Sequence, residues 1–180
     1  MTHYGHHFEQ IAKLYDHTQD RYVWAHNLVT LHYSDEQTDY PALFELWRPA
    51  DLEAIEQGLG RVGIKLKESK QAFKSSEPAK WRQYLLGVWR RHQNKSEVAA
   101  LYDSKLRIAE HLLQQWVEGY PDLKLPVTFD SWYTQPGFCH FIDRLGLAYV
   151  GTLTDETELV VKTGRERLDN FAQRLKQEHL

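Results

Sequence analysis

The chain has 180 residues, of which 42% are hydrophobic and 26% charged, enough to bury a real core in a globular domain. Its one cysteine, Cys139, excludes an internal disulfide and a cysteine-based zinc site, and no apolar run approaches the roughly 18 residues of a membrane span. The net charge of −3 hides an asymmetry: residues 1–60 hold three Lys/Arg against ten Asp/Glu, residues 61–95 ten against two, and residues 96–180 nine against thirteen. A basic segment between acidic flanks suits a polyanion partner, and equally a solvated helix face.

Met1 to Asp20 is polar and without a clean period. His3, His6 and His7 lack a carboxylate or cysteine at ligand spacing, which reads as a solvated terminus rather than a metal site. The segment has no signal-peptide pattern, so the expected location is the cytoplasm. From Tyr22 to Tyr33, large and β-branched residues occupy both alternating faces, the pattern of a strand covered on both sides. Residues 34–39 form a polar turn and Tyr40 to Trp47 returns, which predicts an antiparallel hairpin. Asp51 to Leu59 is a short helix, closed by Gly58 and Gly60.

Trp81 to His92 places Trp81, Tyr84, Leu85, Val88 and Trp89 on one helical face, beside Lys80, Arg82, Arg90 and Arg91. Ser96 reads as the N-cap of one long helix whose apolar stripe runs from Val98 to Val117, and Gly119-Tyr120-Pro121 stops it. Leu125 to Phe129 is a short strand ending in Asp130, Gly137 to Leu145 a helix ended by Gly146, Leu147 to Leu153 another strand, and Arg165 to Gln177 a final helix. Helices alternating with short apolar strands predict an α/β fold with parallel crossovers, and the leading hairpin makes the sheet mixed.

Asp130 is the most informative position. In an open α/β sheet the functional crevice lies at the carboxyl ends of the strands, and a carboxylate there can ligate a hard cation through oxygen. An Asp after a strand serves equally as a turn former or helix cap. Trp132 and Tyr133 beside it read as core residues, with contact to a bound strand as the second possibility. Cys139 and His140 are adjacent on a helix and point about 100° apart, so they do not make a nucleophile–base pair.

RYVWAHNLVTLHYSDEQTDYPALFELWR (residues 21–48) and LPVTFDSWYTQPGFCHFIDRLGLAYVGTL (residues 125–153) resemble two parts of insertion-sequence transposases of the DDE class, which have an RNase H-like catalytic core. The first stretch is similar to the hairpin after that family's first catalytic strand. The second is similar to the strand, acid, helix and strand around its second catalytic Asp. The resemblance implies an RNase H-like mixed sheet flanked by helices, a partial catalytic domain over residues 1–180 with a basic helical insert at about 49–95, and Asp130 as a catalytic and metal-ligating acid. It also implies Mg²⁺ or Mn²⁺ as cofactor and DNA as partner, with another transposase chain as a further candidate partner. Lys65, Lys67, Lys70, Lys74, Arg82, Arg90 and Arg91 are then the candidates for contact with the DNA backbone.

The family's first acid, in an Asp-Asp-Thr context, has no match in Met1–Asp20, and its third, a helical Glu, has none after Asp130. Glu166 and Glu178 are expected on the final helix, in the wrong setting. Three carboxylates are needed to hold two metals around a phosphodiester. The expectation is therefore a truncated, inactive transposase part whose first strand and C-terminal catalytic helix are missing, which holds no metal tightly by itself. Two other readings stay open: a non-catalytic DNA-binding or interaction module, and a small RNase H-like nuclease using Asp16, Asp130 and Glu166.

Overall fold

The computed structural model describes residues 9, 11–16, 18–162 and 164–178, and the N-terminal histidines lie outside them. The chain divides into two compact units, Met1–Leu113 and Gln114–Leu180. Helices and strands are mixed in an α/β chain, and among the described residues the strands form four two-stranded sheets. No described helix is long and apolar enough to cross a membrane.

The first unit opens with two hairpins. Strand β1 (Ala12–Asp16) pairs antiparallel with β2 (Arg21–Ala25), and β3 (Asn27–Ser34) pairs antiparallel with β4 (Asp39–Trp47). The single strand predicted over Tyr22–Tyr33 is thus two strands serving different partners. Ala25 lies opposite Ala12 and Asn27 opposite Trp47. His26 stands between them in neither ladder, with Nε2 2.7 Å from the Glu9 carbonyl. The β3–β4 turn is built by Asp35, whose Oδ1 accepts from the amides of Gln37 (2.8 Å) and Thr38 (2.7 Å) and from the Thr38 hydroxyl. The Tyr33 hydroxyl donates to its Oδ2 at 2.9 Å. These bonds favour the ionised form and hold the Asp35 carboxyl at about 2.

Helix α1 (Leu52–Arg61) begins at Asp51, whose side chain accepts from the amides of Glu53 and Ala54. Gly58 and Gly60 lie inside this helix rather than closing it. Gly58 is buried and sits where a side chain would collide with Leu101. The helix ends beyond it, at Arg61, and Gly63 follows with φ +76°. Two single turns follow, α2 (Glu68–Gln71) and α3 (Phe73–Ser76), then α4 (Pro78–His92) and another turn, α5 (Ser96–Ala99). Ile55, Leu59, Trp81, Leu85, Val88, Trp89 and Val98 make one buried core from α1, α4 and α5. The Trp89 indole N–H is satisfied inside it by the Val98 carbonyl at 2.9 Å, as a buried polar group requires.

The long helix predicted from Ser96 is split. After α5 the chain turns, and α6 (Lys105–Gly119) starts afresh at Ser104, whose hydroxyl accepts from the Arg107 amide at 3.3 Å. Arg107 also donates to the Ala99 and Tyr102 carbonyls left open by the break. The apolar stripe is divided for a packing reason. Val98 belongs to the helical core, whereas Ile108 and Leu112 pack with Val29 against the β3–β4 hairpin.

The second unit contains β5 (Val127–Phe129), α7 (Pro136–Arg144) and β6 (Tyr149–Gly151), with β5 and β6 paired in parallel. This confirms the crossover expected from the pattern. Gly146 terminates α7 at φ +70°. Phe138, Ile142 and Leu147 are buried, and Phe129 contacts Phe138 edge-on and stacks on Tyr149. The hairpin of β7 (Glu158–Val161) and β8 (Gly164–Arg167) was not anticipated, and it precedes α8 (Leu168–Glu178). Arg165 and Glu166, predicted to be helical, therefore lie in β8, where Glu166 pairs with Arg174 at 3.0 Å.

Candidate functional site

Asp130 follows β5 directly, at the carboxyl end of a strand in a parallel βαβ unit, the position where open α/β sheets place ligands. It is exposed. Its Oδ1 accepts from the amides of Trp132 (2.9 Å) and Tyr133 (3.4 Å), an Asx turn that reverses the chain before α7. The turn-forming and site-forming readings of this residue thus concern different oxygens. Oδ1 is committed to the turn, and Oδ2 has no hydrogen-bond partner among the described residues.

The turn is strapped to β6. The Thr134 hydroxyl lies 2.7 Å from the Thr152 carbonyl and 3.0 Å from the Asp130 carbonyl, and the Thr152 amide donates to Phe129 at 3.2 Å. Gly151 makes this approach possible. A Cβ there would meet the Phe129 ring at 2.6 Å and the Thr134 hydroxyl at 2.8 Å. Trp132 is 50% exposed beside the acid, which corrects its assignment to the core. Tyr133 is half-buried against Phe138. Burial, then the Asp130 charge, pushes its phenol upward.

Among the described residues, no group of three His, Cys, Asp or Glu side chains stands close enough to hold a metal ion. Asp16 is committed to the β1–β2 turn, where its Oδ1 accepts from Thr18 and Gln19. Glu166 is committed to Arg174. One carboxylate with one oxygen free can supply a single ligand atom to a hydrated divalent ion, but it does not hold a pair of metals at a fixed separation.

The basic segment is sorted by the fold. Lys65, Lys67, Lys70 and Arg91 line one cavity of about 580 Å³ in the first unit, together with Tyr84, His92 and Lys95. Lys74 instead pairs with Glu56 at 2.7 Å, a contact that raises the lysine's pKa. Arg82 and Arg90 are exposed on α4 and do not line the cavity. Lys95 was missed as a candidate. The signal available was its spacing, four residues after Arg91, although α4 ends between them at His92.

A parallel βαβ unit with an acid at its strand end is a place where α/β sheets seat ligands of many kinds. The family model described as DDE superfamily endonuclease matches residues 1–170, and the chain belongs to that family. No curated protein and no solved structure matches it. DDE endonucleases act on DNA and depend on divalent metals, so the resemblance seen in residues 21–48 and 125–153 is borne out at the level of the family.

Proposed function

We propose that this protein derives from a DNA transposase that cleaves and transfers strands by DDE chemistry on an RNase H-like scaffold, and that Asp130 is its second metal-ligating acid. The observation that carries this reading is the place of Asp130 at the carboxyl end of β5, in a chain matched by the endonuclease family over residues 1–170. The β3–β4 hairpin covered by α6, followed by the β5–α7–β6 crossover, supports an RNase H-like order of elements. In such enzymes a metal pair activates the attacking oxygen and stabilises the leaving one. The residues of this chain contribute Asp130, held at fixed orientation by its turn, and an exposed Trp132 against which a DNA base can stack.

In this reading residues 1–180 do not cleave DNA by themselves, because Asp130 is the one acid of the three that they match and a functional centre needs the other two. DNA contact falls to cations of the basic segment that are not held in ion pairs, Lys65, Lys67, Lys70 and Arg91 among them, whereas Lys74 is paired with Glu56. The test is a nicking assay on supercoiled DNA with Mg²⁺ or Mn²⁺. The chain alone is expected to leave the DNA intact. Nicking by the chain alone that disappears in Asp130→Ala would refute the inactivity and favour a complete small nuclease.

A further inference from the structure

Among the described residues, six lysines and arginines are paired with a carboxylate. Lys74 pairs with Glu56, Lys80 with Glu77, Arg107 with Asp103, Arg165 with Glu158, Arg167 with Asp169 and Arg174 with Glu166. The cations around the 580 Å³ cavity are not among these, and they are distinguished by lying together. Lys65, Lys67, Lys70, Arg91 and Lys95 line it with no acidic residue in its wall, and none has a carboxylate within ion-pair distance among the described residues. Lys70 lies over the Phe73 ring at 4.8 Å instead.

The walls are fixed by the core beneath them. Tyr84 and Val88 pack in the helical core on one side, and Ile64 on the other. The Tyr84 hydroxyl accepts from the Lys67 amide at 2.8 Å, tying the 63–70 segment to α4. The backbone from which the cations project is therefore held in place, while Lys65, Lys67, Arg91 and Lys95 themselves are exposed. Five like charges around one cavity repel one another, and an anion seated among them relieves that repulsion.

One feature of the site opposes anion binding. The C-terminus of α4 carries a partial negative charge of roughly half an electron. Its carbonyls are largely occupied, however. His92 Nδ1–H donates to Val88 at 2.9 Å, Gln93 Nε2 to Arg90 at 3.1 Å, and the Lys95 amide to His92 at 3.0 Å. Five full positive charges outweigh the remaining dipole.

We propose that Lys65, Lys67, Lys70, Arg91 and Lys95 form a clasp for the phosphodiester backbone of DNA, seated between the 63–70 segment and the C-terminal half of α4. The clasp rests on the reading that DNA is the substrate, and it assigns Lys74, Arg82 and Arg90 no part in it. Phosphate contacts of this kind carry no base preference and are salt-dependent.

The experiment is fluorescence anisotropy of a labelled DNA duplex with the purified full chain in EDTA, across a series of salt concentrations. Lys67→Gln/Arg91→Gln and Lys65→Gln/Lys95→Gln are each expected to lower the salt slope by about 2 and to weaken binding about tenfold at ~0.15 M salt. Lys74→Gln and Lys80→Gln are expected to bind like wild type, and circular dichroism checks that all variants fold. The clasp is overturned if both double variants keep wild-type affinity and slope, or if the two control variants lose as much. It is also overturned if inorganic phosphate at matched ionic strength competes as well as unlabelled duplex, which would mark a free-phosphate site, or if wild type binds no duplex. Because EDTA removes the metal, these outcomes are separate from the standing of Asp130, which is read by metal binding.

Discussion

Around the cavity of residues 63–95, five cations converge without counter-ions on a frame whose core is closed by α1, α4 and α5. At the end of β5, a single carboxylate commits one oxygen to its own turn and belongs to no group of three metal-ligating side chains among the described residues. The first region has gathered several groups of one sign, enough to bind an extended polyanion. The second has one group in the right place, which positions a ligand atom without completing a metal centre. The place of Asp130 at a strand end marks the second region, and the packing of side chains gathers the first.

The contrast can be broken most forcefully at Trp89. Trp89→Ala removes a buried indole, its bond to Val98 and its edge contact with Tyr102. A loss of about 3–5 kcal/mol is expected in chemical denaturation. Hydrogen exchange should show protection falling in α1, α4 and α5 ahead of β5, α7 and β6, and DNA binding through the clasp should fall with it. Uniform loss of protection would mean that the two regions do not have separate cores.

The strand end is probed next at Gly151. Gly151→Ala forces a methyl group against Phe129 and Thr134, with an expected cost of about 1–3 kcal/mol. Shifts of the Asp130 and Thr134 resonances should follow, while duplex binding in EDTA should stay unchanged. Asp130 itself gives a smaller and more discriminating effect. Asp130→Ala removes the acceptor of the Asx turn, with an expected loss of about 1 kcal/mol. Asp130→Asn keeps an acceptor oxygen and is expected to melt within a few tenths of a kcal/mol of wild type. Equal losses in the two would show that the charge, rather than the turn, supports the fold.

The smallest effect lies in the β3–β4 turn. The folded Asp35 carboxyl titrates at about 2, below its ordinary 3.8. Its contribution to stability is therefore present above pH ~4 and is lost as pH falls toward about 2. Melting temperatures of wild type and Asp35→Asn, measured from pH 5 to pH 2, should converge as the pH falls. Curves that stay parallel would remove Asp35 from the account.

Much of this was legible in the sequence because it depended on local chemistry. Asp35 in a polar turn, the Trp81–Trp89 face of α4, the Gly146 stop and the acid after an apolar strand are short-range signals. The errors came where tertiary packing divided a continuous pattern. Apolar residues from Val98 to Val117 read as one helix because periodicity does not record that Val98 and Ile108 join different cores. Tyr22 to Tyr33 read as one strand because alternation passes through His26 unchanged, although the ladder changes partner there. A glycine that stops a helix and one that admits Leu101 look alike, which misplaced the end of α1. At the candidate sites, the basic segment was visible by composition. The split between the ion-paired Lys74 and the unpaired Lys67 required the fold.

The most direct test of Asp130 as a metal-ligating acid is Mn²⁺ titration of the isotope-labelled chain, read as paramagnetic broadening. Selective broadening of the amide resonances of residues 128–133 is expected in wild type, with its loss in Asp130→Asn, whose fold is retained. Equal broadening of that segment in Asp130→Asn, or none there in wild type, would contradict the assignment.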